Sequence, residues 1–196
     1  MGTPTLETPR LVLRPAALTD APAIQTHFAN WNVIKHMGGR VPWPYPVDGA
    51  ERFLKDDALP RVNKGDAHLW AICLKAEPDE LIGIIEFRLA IDANDHRGFW
   101  IAEPYWRKGL MSEAVEAVNR FVFEDLELES FIEQNAADNP ASRRLKEKSG
   151  GELVGRRESR YLSGERWSEV WRLTRAGWLA TKQRNQPSQE AAERSE

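Results

Sequence analysis

Trp106-Arg107-Lys108-Gly109-Leu110-Met111-Ser112 is the segment whose residue types and order most directly suggest chemistry. Before it, Gly98-Phe99-Trp100-Ile101-Ala102 has the composition of a buried strand. After it, Ala114, Val115, Val118, Phe121 and Val122 fall at i, i+1, i+4, i+7 and i+8, one apolar face of a helix. Strand, glycine turn and helix thus follow almost without a spacer. Gly109 permits positive φ and close backbone approach. The amides of residues 107–112 become the unpaired donors of a new helix, and the helix dipole adds positive potential. That combination suits a phosphate or pyrophosphate. Arg107 and Lys108 bring further positive charge, and Arg107 either reaches a phosphate or is solvated. A glycine between strand and helix is also a common structural device. The Walker loop and the three-glycine dinucleotide fingerprint are both missing, which disfavours ATP and NAD.

The elements that hold this segment follow from breakers and periodicity. Leu11–Leu13 reads as a first strand between Thr8-Pro9 and Arg14-Pro15. Thr19 or Asp20 caps a helix with Pro22 in its first turn and Ile24 and Phe28 one turn apart. Residues 37–48 hold three prolines and two glycines and form an irregular loop. Asp48 caps a helix to about residue 61. Strands follow at His68–Leu74, Leu81–Leu89 and Gly98–Ala102, with turns at Glu77–Glu80 and Asp92–Arg97, as an antiparallel meander. Ser130–Asn135 is a further strand. Asn139 opens a short helix through Lys148, ended by Gly150-Gly151. Two strands near 152–162 and 167–174 are joined at Ser163-Gly164. The order predicts a mixed α+β domain with a β-α-β crossover between the strands near 98–103 and 130–136. A ligand belongs at the carboxyl end of the strand that feeds the glycine turn. Residues 1–180 are expected to form one domain, and 181–196 a polar, disordered tail.

Composition narrows the function classes. A chain of 196 residues, 41% hydrophobic and 29% charged, is that of one globular domain with a full core. No apolar run approaches the ~18 residues of a membrane span, and the N-terminus has no apolar signal region. A cytoplasmic protein with no membrane partner is expected. The single Cys73 excludes an internal disulfide and a Cys-based zinc cluster, and reads as a buried strand residue. His27, His36, His68 and His96 lack metal-ligand spacing, so no metal is expected. His27 and His36 are assigned surface or structural roles. A net charge of −3 argues mildly against nucleic acid and suits a cationic acceptor. Among the eight Trp residues, Trp70, Trp100 and Trp171 read as core, whereas Trp31 and Trp43 sit in polar or proline-rich surroundings that suit a pocket.

Four motifs, in order, resemble the GNAT superfamily of N-acetyltransferases in its RimJ/RimL-like, ribosomal-protein-acetyltransferase branch. They are Thr8-Pro-Arg-Leu-Val-Leu-Arg-Pro15 with Asp20-Ala21; Gly98-Phe-Trp-Ile-Ala102 with Pro104-Tyr-Trp106; Lys108-Gly-Leu-Met-Ser-Glu-Ala114; and Asn139-Pro-Ala-Ser-Arg143 with Leu145 and Glu147-Lys148. The resemblance runs from about residue 8 to 175. It implies a GNAT fold, a mixed and mostly antiparallel sheet of about seven strands flanked by about four helices. It also implies acetyl-CoA as co-substrate and a primary amine, either a protein N-terminus or a small molecule, as direct acceptor in a ternary complex.

The resemblance further implies a site. The pantetheine arm would pair like an added strand with Trp100, Ile101 and Ala102. The pyrophosphate would take the amides of Arg107, Lys108, Gly109, Leu110, Met111 and Ser112. Asn139 and Arg143 would complete the cofactor side. Ser142 would protonate the leaving thiolate, or else cap its helix locally. The acceptor side is expected around Trp43, Tyr45 and Glu86; the two aromatics match the acceptor-lining segment, or form an apolar plug over the sheet. The reaction itself needs a base for the acceptor ammonium and a free amide for the developing oxyanion, expected at a bulge of the central strand. Glu86 and Glu103 are the base candidates; each has an ordinary solvent-facing alternative. Three departures stand out. The family's pyrophosphate turn often carries a small residue where Arg107 stands. Lys146 occupies the position where many GNAT enzymes carry a Tyr general acid, and Gly150-Gly151 replaces the family's Gly-Phe. The competing reading is a catalytically weak acyl-CoA-binding sensor or interaction module. Exposed Trp residues would also allow a homodimer interface.

Overall fold

The computed structural model describes residues 2–38, 40–89 and 94–185. Five strands form an antiparallel sheet in sequential order: β1 (Leu6–Glu7), β2 (Leu11–Pro15), β3 (Ala67–Leu74), β4 (Glu77–Arg88) and β5 (Arg97–Ile101). A second antiparallel sheet holds β6 (Ser130–Ala136), β7 (Glu152–Glu158) and β8 (Trp167–Thr174) in the order β6-β8-β7. β3 shows why the first sheet is covered on both sides. Its residues are apolar in both phases of the alternation, so each face must meet a core. Trp70 and Ile72 join Leu11, Leu13, Ile85 and Phe87 in one core, whereas Leu69, Ala71 and Cys73 join Ile84 in the other.

Helices close both cores. On one side lie α1 (Ala21–Phe28), α2 (Trp31–Ile34) and α3 (Gly49–Arg52), the last continuing through a π turn at Phe53–Ala58 into α4 (Leu59–Lys64). On the other lies α5 (Leu110–Arg120), extended by a π turn at Phe121–Asp125. The predicted apolar face of α5 is buried along its length, from Ala114 to Val122. α6 (Pro140–Lys148) follows β6, and α7 (Arg175–Asn185) follows β8. Trp178 of α7 is fully buried and donates its indole N–H to Glu116 Oε2 at 2.9 Å.

The sheets meet at one end of β5. His96 N–H donates to Ile132 O at 2.8 Å, and Arg97 meets Glu133, so β5 and β6 start side by side and in parallel. Beyond that point no backbone hydrogen bond joins the two strands among the described residues. β5 therefore ends as an edge strand beside a cleft.

Several expectations change. β1 precedes the expected first strand, and the strand near 152–162 stops at Glu158. Register shifts fall in the β3–β4 and β7–β8 pairings and not in the β4–β5 pairing, so the central strand has no bulge to supply an oxyanion donor. The expected tail contributes residues 181–185 to α7, because Trp178 and its partners anchor that helix to α5. Residues 186–196 of the tail, Asp92 and Ala93 of the expected turn, and Gly39 of the irregular loop lie outside the described residues.

Gly150 and Gly177 pack backbone to backbone. Gly150 has φ of +84° and caps α6; a Cβ there would lie 2.4 Å from Gly177 O. A Cβ on Gly177 would in turn lie 2.9 Å from Gly150 O. The expected loss of a core aromatic at position 151 thus coincides with a place where α6 and α7 approach too closely for side chains.

Candidate active site

The glycine turn is held by side chains from the first strands. Arg10 donates from Nη1 to Lys108 O at 3.0 Å. Glu113, in the first turn of α5, accepts from Thr8 Oγ1 at 2.6 Å, Arg10 N at 2.8 Å and Arg10 Nε at 2.7 Å. Burial works against the Glu113 carboxylate, but the hydrogen bonds from Thr8 and Arg10 outweigh it and hold the carboxyl below its usual range. Its contribution to stability is therefore complete above the ordinary glutamate pKa of ~4.3 and is lost as pH falls through the lower folded-state value. Glu113→Gln is accordingly expected to lower the urea midpoint at pH 7 and to lose that deficit by pH 3. An equal deficit at both pH values would show that charge is not the cause.

Arg107 at φ 60° and Gly109 at φ 76° both take the left-handed conformation, which bends the chain sharply into α5. The first helical hydrogen bond runs from Glu113 N–H to Gly109 O at 3.1 Å. The amides of Arg107, Lys108, Gly109, Leu110, Met111 and Ser112 have no acceptor among the described residues. Six free donors at the positive end of a helix fit a pyrophosphate.

The phase of β5 corrects the expected pairing. Arg88 N–H donates to His96 O at 2.7 Å, and Ala102 N–H donates to Ile82 O at 2.8 Å. The intervening register pairs Trp100 with Ile84. Alternation therefore turns the peptide groups of Trp100 and Ala102 into β4 and leaves those of Phe99 and Ile101 on the open edge. Trp106 already occupies Ile101 O through its indole N–H at 2.7 Å. Of the three expected positions only Ile101 faces the cleft, and Phe99 joins it. Their N–H groups face the unpaired edge, where they could serve in place of the expected bulge. The Trp100 side chain packs instead on Phe28, with ring centroids 5.2 Å apart.

On α6, Asn139 is the N-cap: its Oδ1 accepts from Ser142 N–H at 3.1 Å. Pro140 in the first turn and positive-φ Gly150 after the last fix the helix limits. The Ser142 hydroxyl is free of that cap and accepts from Lys146 Nζ at 2.9 Å. Arg143 turns away to Glu169 of β8, bonding both carboxylate oxygens.

The two base candidates occupy different settings. Glu86 is buried on β4; Arg61 Nη2 meets its Oε1 at 2.8 Å and Arg88 Nε meets its Oε2 at 3.0 Å. Gly98 leaves room for Arg88, since a Cβ there would lie 2.7 Å from the guanidinium. Both carboxylate oxygens of Glu86 are thus already held by cations. Glu103 follows β5 and is held by neutral donors, Asn30 Nδ2 at 2.7 Å and Asn32 Nδ2 at 2.9 Å. These asparagines flank Trp31, whose ring lies 5.2 Å from that of Trp43. Both indoles are about two-fifths exposed. Tyr45 instead packs edge-on against Phe28 as part of the core beneath, and burial pushes its hydroxyl up to about 12. Gly49 makes room for that ring.

Charged residues that the motifs did not single out lie under the cleft. Arg97 forms a bidentate pair with Glu133, at 2.7 to 3.0 Å, and donates to Asn119 Oδ1 at 2.5 Å. Lys146 Nζ lies 3.8 Å from Glu133 Oε2. Burial opposes ionisation of Glu133, but Arg97 and Lys146 prevail and hold its carboxyl below the usual range. The phase of β6 was the available signal: Phe131, Glu133 and Asn135 share one buried face. Among the described residues no group of three His, Cys, Asp or Glu side chains is placed to hold a metal ion.

A split pair of sheets with a six-amide turn at the end of the edge strand defines the class. The family profile described as "Acetyltransferase (GNAT) domain" matches residues 10–152, and the chain belongs to this family of N-acetyltransferases. It is 32% identical over 156 residues to "Uncharacterized N-acetyltransferase YoaA" of Bacillus subtilis, covering 78% of this chain and 85% of that protein. It is 32% identical over 79 residues to the ribosomal-protein-serine acetyltransferase of Escherichia coli, covering 39% of this chain and 44% of that protein. The solved RimL ribosomal L7/L12 alpha-N-protein acetyltransferase, in complex with coenzyme A, shares the fold at a TM-score of 0.72 and 17% identity, covering 87% of this chain and 98% of that one. Among the described residues no helix is long and apolar enough to cross a membrane.

Proposed function

We propose that this chain transfers an acetyl group from acetyl-CoA directly to a primary amine, with both substrates bound together. The observation that carries this reading is the set of six acceptor-free amides at residues 107–112 beside an open strand edge. The bound thioester would supply the activated acetyl group. The amides of Arg107 to Ser112 would hold its pyrophosphate, and the peptide groups of Phe99 and Ile101 would align the arm and polarise the carbonyl. Glu103 takes the proton of the acceptor ammonium, directly or through water. Ser142 gives a proton to the leaving sulfur. The Trp31–Trp43 pair lines the approach of the acceptor. Asn139 serves the site by fixing the start of α6, and Arg143 by tying α6 to β8.

A protein N-terminus is the preferred acceptor. The partial match to a ribosomal-protein-serine acetyltransferase supports it, as does the net charge of −3, which favours a cationic substrate. Release of free thiol from acetyl-CoA, followed over a panel of N-terminal peptides and small amines, tests the reading. Turnover with the peptide class is expected. Tight acetyl-CoA binding without thiol release on any amine would overturn it in favour of a binding module.

A further inference from the structure

Ser142 and Lys146 stand one turn apart on α6, 7% and 1% exposed. A fully buried ammonium ordinarily meets a carboxylate at contact distance. Here Glu133 Oε2 is 3.8 Å away, and both Glu133 oxygens are already bonded by Arg97. Among the described residues the Lys146 ammonium donates its one hydrogen bond to a hydroxyl, Ser142 Oγ at 2.9 Å. Its Nζ also lies 5.5 Å from the centre of the Phe99 ring, on the strand whose edge opens to the cleft. The charged groups around it are Glu133 from β6, Arg97 from β5, Asp95 just before β5 and Glu169 from β8. Burial, against the opposing pull of Glu133, brings the Lys146 ammonium below the usual lysine range. It can therefore yield a proton more readily than a surface lysine.

We propose that Lys146 is the positioning residue behind Ser142, orienting its hydroxyl and replacing the proton that Ser142 gives to the departing sulfur. This inference rests on the acetyl-transfer reading above. The acceptor nitrogen forms the new C–N bond, and the C–S bond breaks with its electron pair on sulfur. The Ser142 O–H proton moves to that sulfur, and an N–H proton of Lys146 moves to Ser142 Oγ. Lys146, left as an amine, is reprotonated from solvent. The acceptor ammonium loses two protons overall, one balancing the thiol and one released, so no further reactant is required.

The test compares wild type with Lys146→Met, Ser142→Ala and the double variant. Each single change is expected to lower kcat about 10²-fold. The acetyl-CoA dissociation constant, measured by calorimetry, is expected to stay within about twofold. The double variant is expected to lose no more than either single one, because the pair acts as a unit. NMR of 13C-labelled lysine side chains supplies a readout apart from turnover. One lysine, lost in Lys146→Met, is expected to titrate below the others and to shift in Ser142→Ala. If Lys146→Met fails to fold, Ser142→Ala and the lysine titration decide. Wild-type turnover matched by Lys146→Met, additive losses, or a lysine signal indifferent to Ser142→Ala would overturn the inference alone. A wild-type protein that binds acetyl-CoA but acetylates no amine would overturn the reading beneath it.

Discussion

Glu133→Ala is expected to destabilise the fold by about 3–5 kcal/mol. Glu133 is fully buried and is the bidentate partner of Arg97, itself 1% exposed at the side chain. Its Oε2 also lies 3.8 Å from Lys146 Nζ. Removing it leaves two buried cations facing each other without an anion between them. Asn119 Oδ1 still accepts from Arg97, but a neutral amide cannot offset a buried charge. The same logic gives the compensating experiment. Replacing Glu133, Arg97 and Lys146 together by apolar residues of similar volume is expected to recover most of the loss, because the pairs offset a desolvation cost rather than add net stability. Urea unfolding measures both. A loss below about 1 kcal/mol for Glu133→Ala would mean that water reaches the cluster. Acid acts in the same direction: Glu133 titrates below its usual range, so its contribution holds above the unfolded-state pKa and disappears as pH falls through the folded-state value.

The second large effect is on turnover. Glu103→Gln is expected to reduce kcat by about 10²- to 10⁴-fold while leaving acetyl-CoA affinity nearly unchanged. Glutamine keeps the shape but cannot accept the proton of an ammonium. The two asparagines orient Glu103 without cancelling its charge, and each carboxylate oxygen keeps capacity for one more hydrogen bond. Glu86→Gln provides the contrast. That residue is boxed in by Arg61 and Arg88, so its change is expected to lower the unfolding midpoint rather than the rate constant of the folded enzyme. Steady-state kinetics over pH separates the two. A Glu103→Gln enzyme within about threefold of wild type would move the base to a water network or to the substrate itself.

Where local chemistry decides structure, the chain is readable. The apolar face of α5 and the left-handed Gly109 follow from short-range rules, and both appear where expected. The limits of α6 follow from Asn139, Pro140 and Gly150 in the same way. Four features did not follow. The phase of β5 is set by its partner: which of Phe99 or Trp100 faces the cleft depends on register with β4, and one residue of slip inverts the answer. The Arg97–Glu133 pair joins residues 36 apart in sequence: the phase of β6 puts Glu133 on a buried face, but nothing local names its partner. Asn30 and Asn32 reach Glu103 across more than 70 residues, and nothing local marks them as its holders. α7 carries no periodic signal, because among the described residues Trp178 is its one fully buried apolar anchor.

The contact of Gly150 with Gly177 has a consequence for how the chain can be handled. α6 carries Ser142 and Lys146, and its final turn rests on the first turns of the C-terminal helix with no side chains to act as a cushion. A displacement of α7 is therefore passed to α6 backbone to backbone. Tags, fusions and truncations at the C-terminal end, ordinarily the least risky place to alter a protein, would here act on the helix that holds the proposed proton donors.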